Sequence, residues 1–333
     1  MSRLAFRLFL FLLLVAVLAT GVVVWGLGEF KRPGPLAAEK TLVIPRGTGV
    51  EGIAGLLHEA GVLSGPLVFR IGARLSGADT GLRAGEYVIP ARISPQQVIA
   101  LLQSGKTVVR RLTVAEGLTT AQVISQLNAT EGLQGMAVPG GDGALDEGGL
   151  LPETYHFSYG DKRSEILSRM HKGQRETLAA LWANRAGGLP FKTPDEALVL
   201  ASIVEKETAL ASERGIIAAV FINRLNRGMR LQSDPTVVYG LTGGRGPLSR
   251  PLTRVDLKRP TAFNTYLIDR LPPTPICNPG RASLAAVLNP ANSDALYFVA
   301  DGSGGHVFAR TLAEHNRNVA NWRRFQRQQR NKN

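Results

Sequence analysis

From Leu8 to Gly28 the chain reads LFLFLLLVAVLATGVVVWGLG without a single charge. At 1.5 Å per residue a helix of that length crosses a hydrocarbon core of about 30 Å, so the pattern predicts one membrane-spanning helix. Arg3 and Arg7 precede the run, which puts the short N-terminus (residues 1–7) in the cytoplasm and everything beyond the span outside; Lys31 and Arg32 weaken that asymmetry. The competing reading is a cleaved signal peptide with Val17-Leu18-Ala19 as its small-x-small site. The apolar run, however, continues past that site and exceeds an h-region of about 7–15 residues.

Residues 31–40, KRPGPLAAEK, carry proline and glycine and read as a linker leading the chain away from the bilayer. A degenerate repeat follows: TLVIP then VEGIAGLL, EYVIP then PQQVIALL, RLTVA then TAQVISQL. In each copy a β-rich run precedes a helical run by one turn. Ile53 with Leu56 and Leu57, Val98 with Leu101 and Leu102, and Val123 with Leu127 fall at helical spacing and can cover a small sheet. Three strand-helix units in a compact α+β module are expected.

Between Asn128 and Gly149 the chain is rich in Gly and acid and without periodicity, which reads as a loop. Beyond it, helical stretches over 163–184 and 193–226 alternate with β-rich or Pro-rich pieces, VVYGLTGG, NTYLI, LYFVA and HVFAR, predicting a mixed second domain. Thr193, Pro194 and Glu196 form a helix start, with a hydroxyl cap, a proline at the first helical position and a capping-box glutamate. The apolar run Ala197–Val204 then predicts a helix buried on most sides, with Glu205-Lys206-Glu207 where it surfaces. Glu205 shares a face with Ala201, Ser202, Thr208 and Ala209. A carboxyl held against apolar walls has its charged form disfavoured and can donate a proton to a leaving oxygen. Glu207 is expected to point elsewhere and pair with Lys206 or Arg214. Spacing alone equally allows Glu205 to end a buried helix and pair with an arginine.

Composition narrows the classes. The formal charge is +13, and Arg317, Arg323, Arg324, Arg327, Arg330 and Lys332 gather near the C-terminus, so the excess reads as a basic tail that touches anionic lipid or polymer rather than as a base-reading stripe. Nucleic acid is not an expected partner. Cys277 is the only cysteine, which excludes an intrachain disulfide framework. An exported bulk and the lack of Walker or GxGxxG patterns argue against ATP and NAD.

GLLPETYHF at 149–157, ASIVEKET at 201–208, LQSDPTVVYG at 231–240, FNTYLIDRLPPTPICNPG at 263–280 and GGHVFARTLAEHN at 304–316, in that order, closely resemble the YceG-like endolytic murein transglycosylases. The resemblance runs from about Thr41 to Trp322. It implies an α+β fold with a single N-terminal transmembrane helix over 8–28, a linker over 29–40, a small LysM-like module over 41–108, a mixed α+β catalytic domain over 109–322 and a basic tail over 323–333. It also implies a lytic transglycosylase that needs no cofactor and no metal and cuts peptidoglycan glycan strands near the bacterial inner membrane, with its catalytic domain periplasmic and cell-wall synthases and division proteins as neighbours. By matching motif Glu205 is the catalytic acid and then base, and Tyr155, Gln232, Ser233, Asp234, Asn264, Tyr266, Asn278, His306 and Glu314 are substrate-side candidates. For Asp234 turn formation stays open, for Asn278 turn capping, and for Tyr155 and His306 a place in the core. Ala262-Phe263 and Cys277 depart from the expected pattern. A hydrolase pairing Glu205 with Asp234 on a water molecule and a non-catalytic peptidoglycan-binding scaffold are the rival functions.

Overall fold

The computed structural model describes residues 3–78, 80–138 and 146–330. Part of the expected 128–149 loop and the last residues of the basic stretch, including Lys332, lie outside them. The protein mixes helices with small two-stranded sheets and carries one N-terminal apolar helix. It divides into two compact units: Met1–Arg110 with Gly132–Gln134 and His156–Asp161, and Arg111–Glu131 with Gly135–Tyr155 and Lys162–Asn333.

The first unit opens with α1 (Arg3–Lys31), the one helix among the described residues long and apolar enough to cross a membrane. Then come β1 (Lys40–Ile44), α2 (Val50–Glu59), α3 (Pro66–Leu75), β2 (Gly85–Ile89) and α4 (Pro95–Ser104). β1 and β2 pair antiparallel from Lys40 opposite Ile89 to Ile44 opposite Gly85. Ile53, Leu57, Val98 and Leu102 are buried between the helices and this hairpin, with Phe69, Tyr87 and Ile89. Each such side chain contributes about 1.5–3 kcal/mol over its exposed state. The segment after α1 is held rather than free: Phe30 and Leu36 pack on this core, the Gly34 amide donates to Ile93 O at 3.1 Å and the Arg92 amide to Leu36 O at 2.8 Å. A linker leading away from the bilayer was expected here. Gly34 is needed because a Cβ would run into the Val62 and Ile93 carbonyls. α3 had no counterpart in the repeat reading.

All three repeats form a strand, a turn and a helix, the third as β3 (Arg110–Thr113) and α5 (Thr120–Ala129). Their turns share a left-handed residue two positions before the N-cap: Gly47 before Gly49, Arg92 before Ser94 and Gly117 before Thr119. Ser94 and Thr119 each complete a reciprocal capping box with the glutamine three residues on. The strands do not join one sheet, however; β3 pairs with β4 (Thr154–Phe157).

The second unit continues with α6 (Arg163–Ala183), α7 (Pro194–Glu207), α8 (Ala211–Asn226), α9 (Asp234–Thr242), α10 (Arg281–Leu288), the hairpin β5 (Tyr297–Ala300) and β6 (His306–Ala309), and α11 (Leu312–Arg330). α7 is its centre, with Ala197 to Val204 all buried against Ile217 and Phe221 of α8 and Leu284, Val287 and Leu288 of α10. Three expectations change. The helical stretch over 193–226 is two helices divided at Thr208, whose backbone is extended and whose hydroxyl takes the Leu210 amide at 3.0 Å and gives to Glu213 at 3.3 Å. VVYGLT is helix α9, not strand: Pro235 sits in its first turn and Gly243 at φ 62° closes it, and these ends outweigh the β preference of the paired valines. NTYLI forms turns held by Asn264. Residues 323–330 continue α11 as helix.

Candidate active site

α7 begins as its sequence dictates. The Thr193 hydroxyl accepts the Glu196 amide at 3.3 Å, and the Glu196 carboxylate takes the Lys192 amide at 2.5 Å, one residue before the cap. At the other end the loop around 275–280 docks on the helix through Ser202. Its hydroxyl donates to Val199 O at 2.7 Å and accepts the Ile276 amide at 3.0 Å, and the Cys277 thiol lies 3.3 Å from Ser202 O. This docking brings the Gly280 amide to 2.9 Å from Glu205 Oε2. The Glu205 side chain is only 5 % exposed, and its Oε1 faces Arg214 Nη2 at 3.9 Å.

Arg214 also reaches Glu116 Oε2 at 3.4 Å, so two carboxyls share one guanidinium. Glu116 packs directly over Gly280, where a Cβ would collide with its carboxyl. Burial first, and the Glu205 charge second, push the Glu116 carboxyl above its ordinary value, with Arg214 opposing. Lys206 closes the group by donating to Gly117 O at 3.3 Å. Glu116, Gly117, Glu205, Lys206, Glu207, Thr208, Ala209 and Arg214 line an open recess of about 360 Å³. A larger cavity of about 540 Å³ shares Glu116, Gly117 and Lys206 with it and adds Asp234, Val238, Tyr239 and Ile276. The larger cavity has a mostly apolar wall with a few polar groups at its edge, the make-up of a small-molecule site, whereas the recess around Glu205 is charged.

Of the substrate-side candidates, Asp234 alone lines either cavity. It is exposed, and the Tyr266 hydroxyl donates to its Oδ1 at 2.6 Å, which pushes the phenol up after burial has done so. Gln232 stands next to it in a left-handed backbone (φ 53°), its amide on Thr265 O at 3.1 Å. Ser233 is buried and donates to Glu207 at 2.5 Å. Glu207 therefore turns into the fold, not toward Lys206 or Arg214 as expected. Burial above all pushes it up to about 7, the Ser233 bond opposing and the Asp234 charge adding to the rise.

The remaining candidates hold loops. Asn278 is wholly buried; its Oδ1 takes the Leu150 amide at 2.9 Å and its Nδ2 gives to Leu118 O at 3.0 Å. Asn264, equally buried, donates to Leu257 O and Arg259 O at 3.0 and 2.8 Å and accepts the Tyr266 amide at 3.0 Å. Neither amide has a free group to offer a sugar. Tyr155 donates to Leu151 O at 2.7 Å, and burial pushes its phenol up to about 12. His306 binds Glu213 through both its amide and Nδ1 at 2.7 Å, against Phe298. Glu314 caps α11, taking the Arg310 and Thr311 amides at 3.0 and 3.1 Å. Among the described residues no group of three or more His, Cys, Asp or Glu side chains is placed to hold a metal.

Sequence reasoning missed Glu116 and Tyr239, and it gave Arg214 to Glu207, whereas Arg214 faces Glu205, the arginine pairing that spacing had left open. The signal for Glu116 was its place in the repeat: the turn position held by Arg46 and Ala91 in the first two copies carries an acid in the third.

Residues 42–321 match the model of the YceG-like family, and the chain belongs to that family. It is 30% identical over 301 residues to an endolytic murein transglycosylase of Bacillus subtilis, covering 82% of this chain and 82% of that protein. It is 29% identical over 322 residues to an endolytic murein transglycosylase of Streptococcus pneumoniae, covering 84% of this chain and 58% of that protein, so the chain spans little more than half of the pneumococcal relative's length. A crystal structure of a putative yceG-like protein from Listeria monocytogenes aligns with a TM-score of 0.51 at 28% identity, covering 84% of this chain and 98% of that one.

Proposed function

We propose that the protein is an endolytic murein transglycosylase, with Glu205 as its acid and base. The observation that carries the reading is the placement of Glu205, a side chain nearly withdrawn from water yet on the wall of an open recess, one oxygen fixed by a backbone amide and the other facing Arg214 at 3.9 Å. Family membership and two relatives named for this activity support it.

In this mechanism Glu205 gives its proton to the oxygen bridging N-acetylmuramic acid to N-acetylglucosamine, and the bond from that oxygen to the muramyl anomeric carbon breaks. The muramyl 6-hydroxyl attacks the same carbon and returns its proton to Glu205, closing a 1,6-anhydro ring. No water is consumed, so the second carboxylate of an ordinary glycosidase is not obligatory. Glu116 stands on the same guanidinium as Glu205, and burial with the Glu205 charge raises its carboxyl against the pull of Arg214. Asp234, held by the Tyr266 hydroxyl, lines the larger cavity, where it can take sugar hydroxyls.

α1 is read as a single-pass anchor in the inner membrane with the rest of the chain on the periplasmic side, the soluble part of the first unit as a LysM-like module, and the second unit as the catalytic domain. The apolar length of α1 and the strand-helix hairpin arrangement support those assignments.

Digestion of purified glycan strands by the full chain tests the reaction. The expected products carry anhydro ends lighter by one water than reducing ends, and Glu205→Gln abolishes their release. Incorporation of labelled oxygen from solvent water at the new ends is the result that replaces transglycosylation by hydrolysis; binding without cleavage leaves only a scaffold.

A further inference from the structure

α3 has two apolar faces where a small soluble module needs one. Phe69 and Ala73 are buried in the core of the first unit. On the other side Leu67, Ile71 and Leu75, spaced four apart and therefore stacked on one stripe, are 57%, 49% and 85% exposed. Arg70 and Arg74 flank the stripe, and Glu51 of α2 binds both. Single exposed aliphatics are ordinary on a protein surface, but three in register on a ten-residue helix form a patch that asks for a cover.

The place of α3 says what the cover is. The ring of Phe30, in the last turn of α1, rests against Gly72, the residue next to Ile71, so closely that a Cβ there would strike the ring. Phe30 stands two residues beyond the end of the uncharged run at Gly28, about 3 Å along the helix axis. No slack separates anchor from module, because Phe30 and Leu36 are packed on the same core and Gly34 is bonded to Ile93. Ile71, in the middle of the stripe, thus adjoins the contact between α3 and the last turn of α1.

We propose that α3 lies in the membrane-water interface beside the exit of α1, with Leu67, Ile71 and Leu75 in the outer face of the bilayer that α1 crosses and Arg70 and Arg74 at its phosphates. The proposal rests on the reading of α1 as the anchor and commits to the lipid surface as the occupant. An amphipathic helix with an apolar stripe and flanking arginines sinks by about 5–10 Å into the headgroup boundary. Such seating fixes the first unit against the membrane.

The test uses the full chain in nanodiscs of mixed anionic and neutral phospholipid. Cys277 is the chain's one cysteine and is buried, so a spin label introduced at the surface has one site to occupy. Labels go on Val17→Cys in the middle of α1, Ile71→Cys on the stripe and Glu59→Cys, exposed at the end of α2. Expected is loss of accessibility to a water-soluble relaxant at 17 and at 71, with 59 remaining open. Label 17 immersed and label 71 as open as label 59 overturns the proposal while leaving the anchor intact. Labels 17 and 71 both open overturn the anchor and the proposal together. Shielding at 71 that vanishes with Leu67→Ser/Leu75→Ser in the same nanodiscs supports the proposal, whereas shielding that needs a second copy of the chain, seen as a spin-spin interaction at 71, overturns lipid as the occupant.

Discussion

Glu207 is the side chain whose behaviour departs most from its neighbour's. Both glutamates close α7, yet Glu207 is turned inward, bonded by Ser233 and raised by burial to about 7 from an ordinary 4.5. Between those two values the folded protein holds a proton that the unfolded chain has lost. The stabilising contribution is therefore complete below about pH 4.5 and disappears as the pH rises through 7, and the gap corresponds to about 3 kcal/mol. Glu207→Gln keeps an acceptor for Ser233 and cannot ionise, so it should flatten the fall of Tm across that window and leave the variant more stable than the parent at pH 8. Thermal melts at stepped pH decide it; parallel curves for the two proteins would refute the buried-acid account. Gly280 is constrained by space alone, since its φ of −75° suits any residue. Gly280→Ala drives a methyl into the Glu116 carboxyl and shifts the amide that fixes Glu205. Activity should drop by about 10- to 100-fold, in keeping with an ångström of misplacement, while Tm moves little.

At the scale of elements, the site is a helix end met by a docked loop. Ser202 sits in the buried middle of α7 and joins the two by accepting the Ile276 amide. Ser202→Ala leaves that buried amide unpaired at a cost of about 1–3 kcal/mol, and frees the loop that delivers the Gly280 amide. Lower Tm and lower kcat are expected together with a nearly unchanged KM, because the cavity walls from α9 stay in place; a rise in KM at constant kcat would show that the loop shapes the cavity rather than the acid. What the sequence announced here was what local chemistry controls. The start of α7 is written in Thr193, Pro194 and Glu196, and the apolar run after it left Glu205 as the first ionisable group to emerge. α9 was misread because Val237-Val238-Tyr239 has the composition of a strand, while the deciding signals, Pro235 and Gly243, are terminal and outvoted by a window average. The break at Thr208 hides similarly, in one hydroxyl that takes the Leu210 amide and turns the chain between α7 and α8. The repeat marks Glu116 as an odd acid but not its partner: it lies 89 residues before Glu205, and only the folding of the third repeat against the 275–280 loop brings them together. The asparagines show the converse error, since Asn264 and Asn278 in turns look equally suited to sugar and to backbone, and burial alone assigns them to backbone.

Over the whole molecule, charge is distributed against the chemistry of the site. The chain carries a formal +13, yet the recess and cavity gather Glu116, Glu205, Glu207 and Asp234 against Lys206 and Arg214. An anionic polymer is therefore attracted at long range by the net charge of the chain, not by the recess. Murein glycan bears carboxylates on its peptide stems, so the field of the exterior should speed encounter without touching the proton transfer. Raising the salt from about 0.1 M to about 1 M shortens the screening length from about 10 Å to about 3 Å, which removes the long-range attraction and leaves contacts inside the recess nearly unscreened. For the proposed transglycosylase kcat/KM should fall severalfold over that range while kcat stays constant, and a glycan stripped of its peptides should lose the salt dependence altogether. A kcat that falls in step would show that salt acts on Glu116, Arg214 and Glu205 in the recess rather than on encounter.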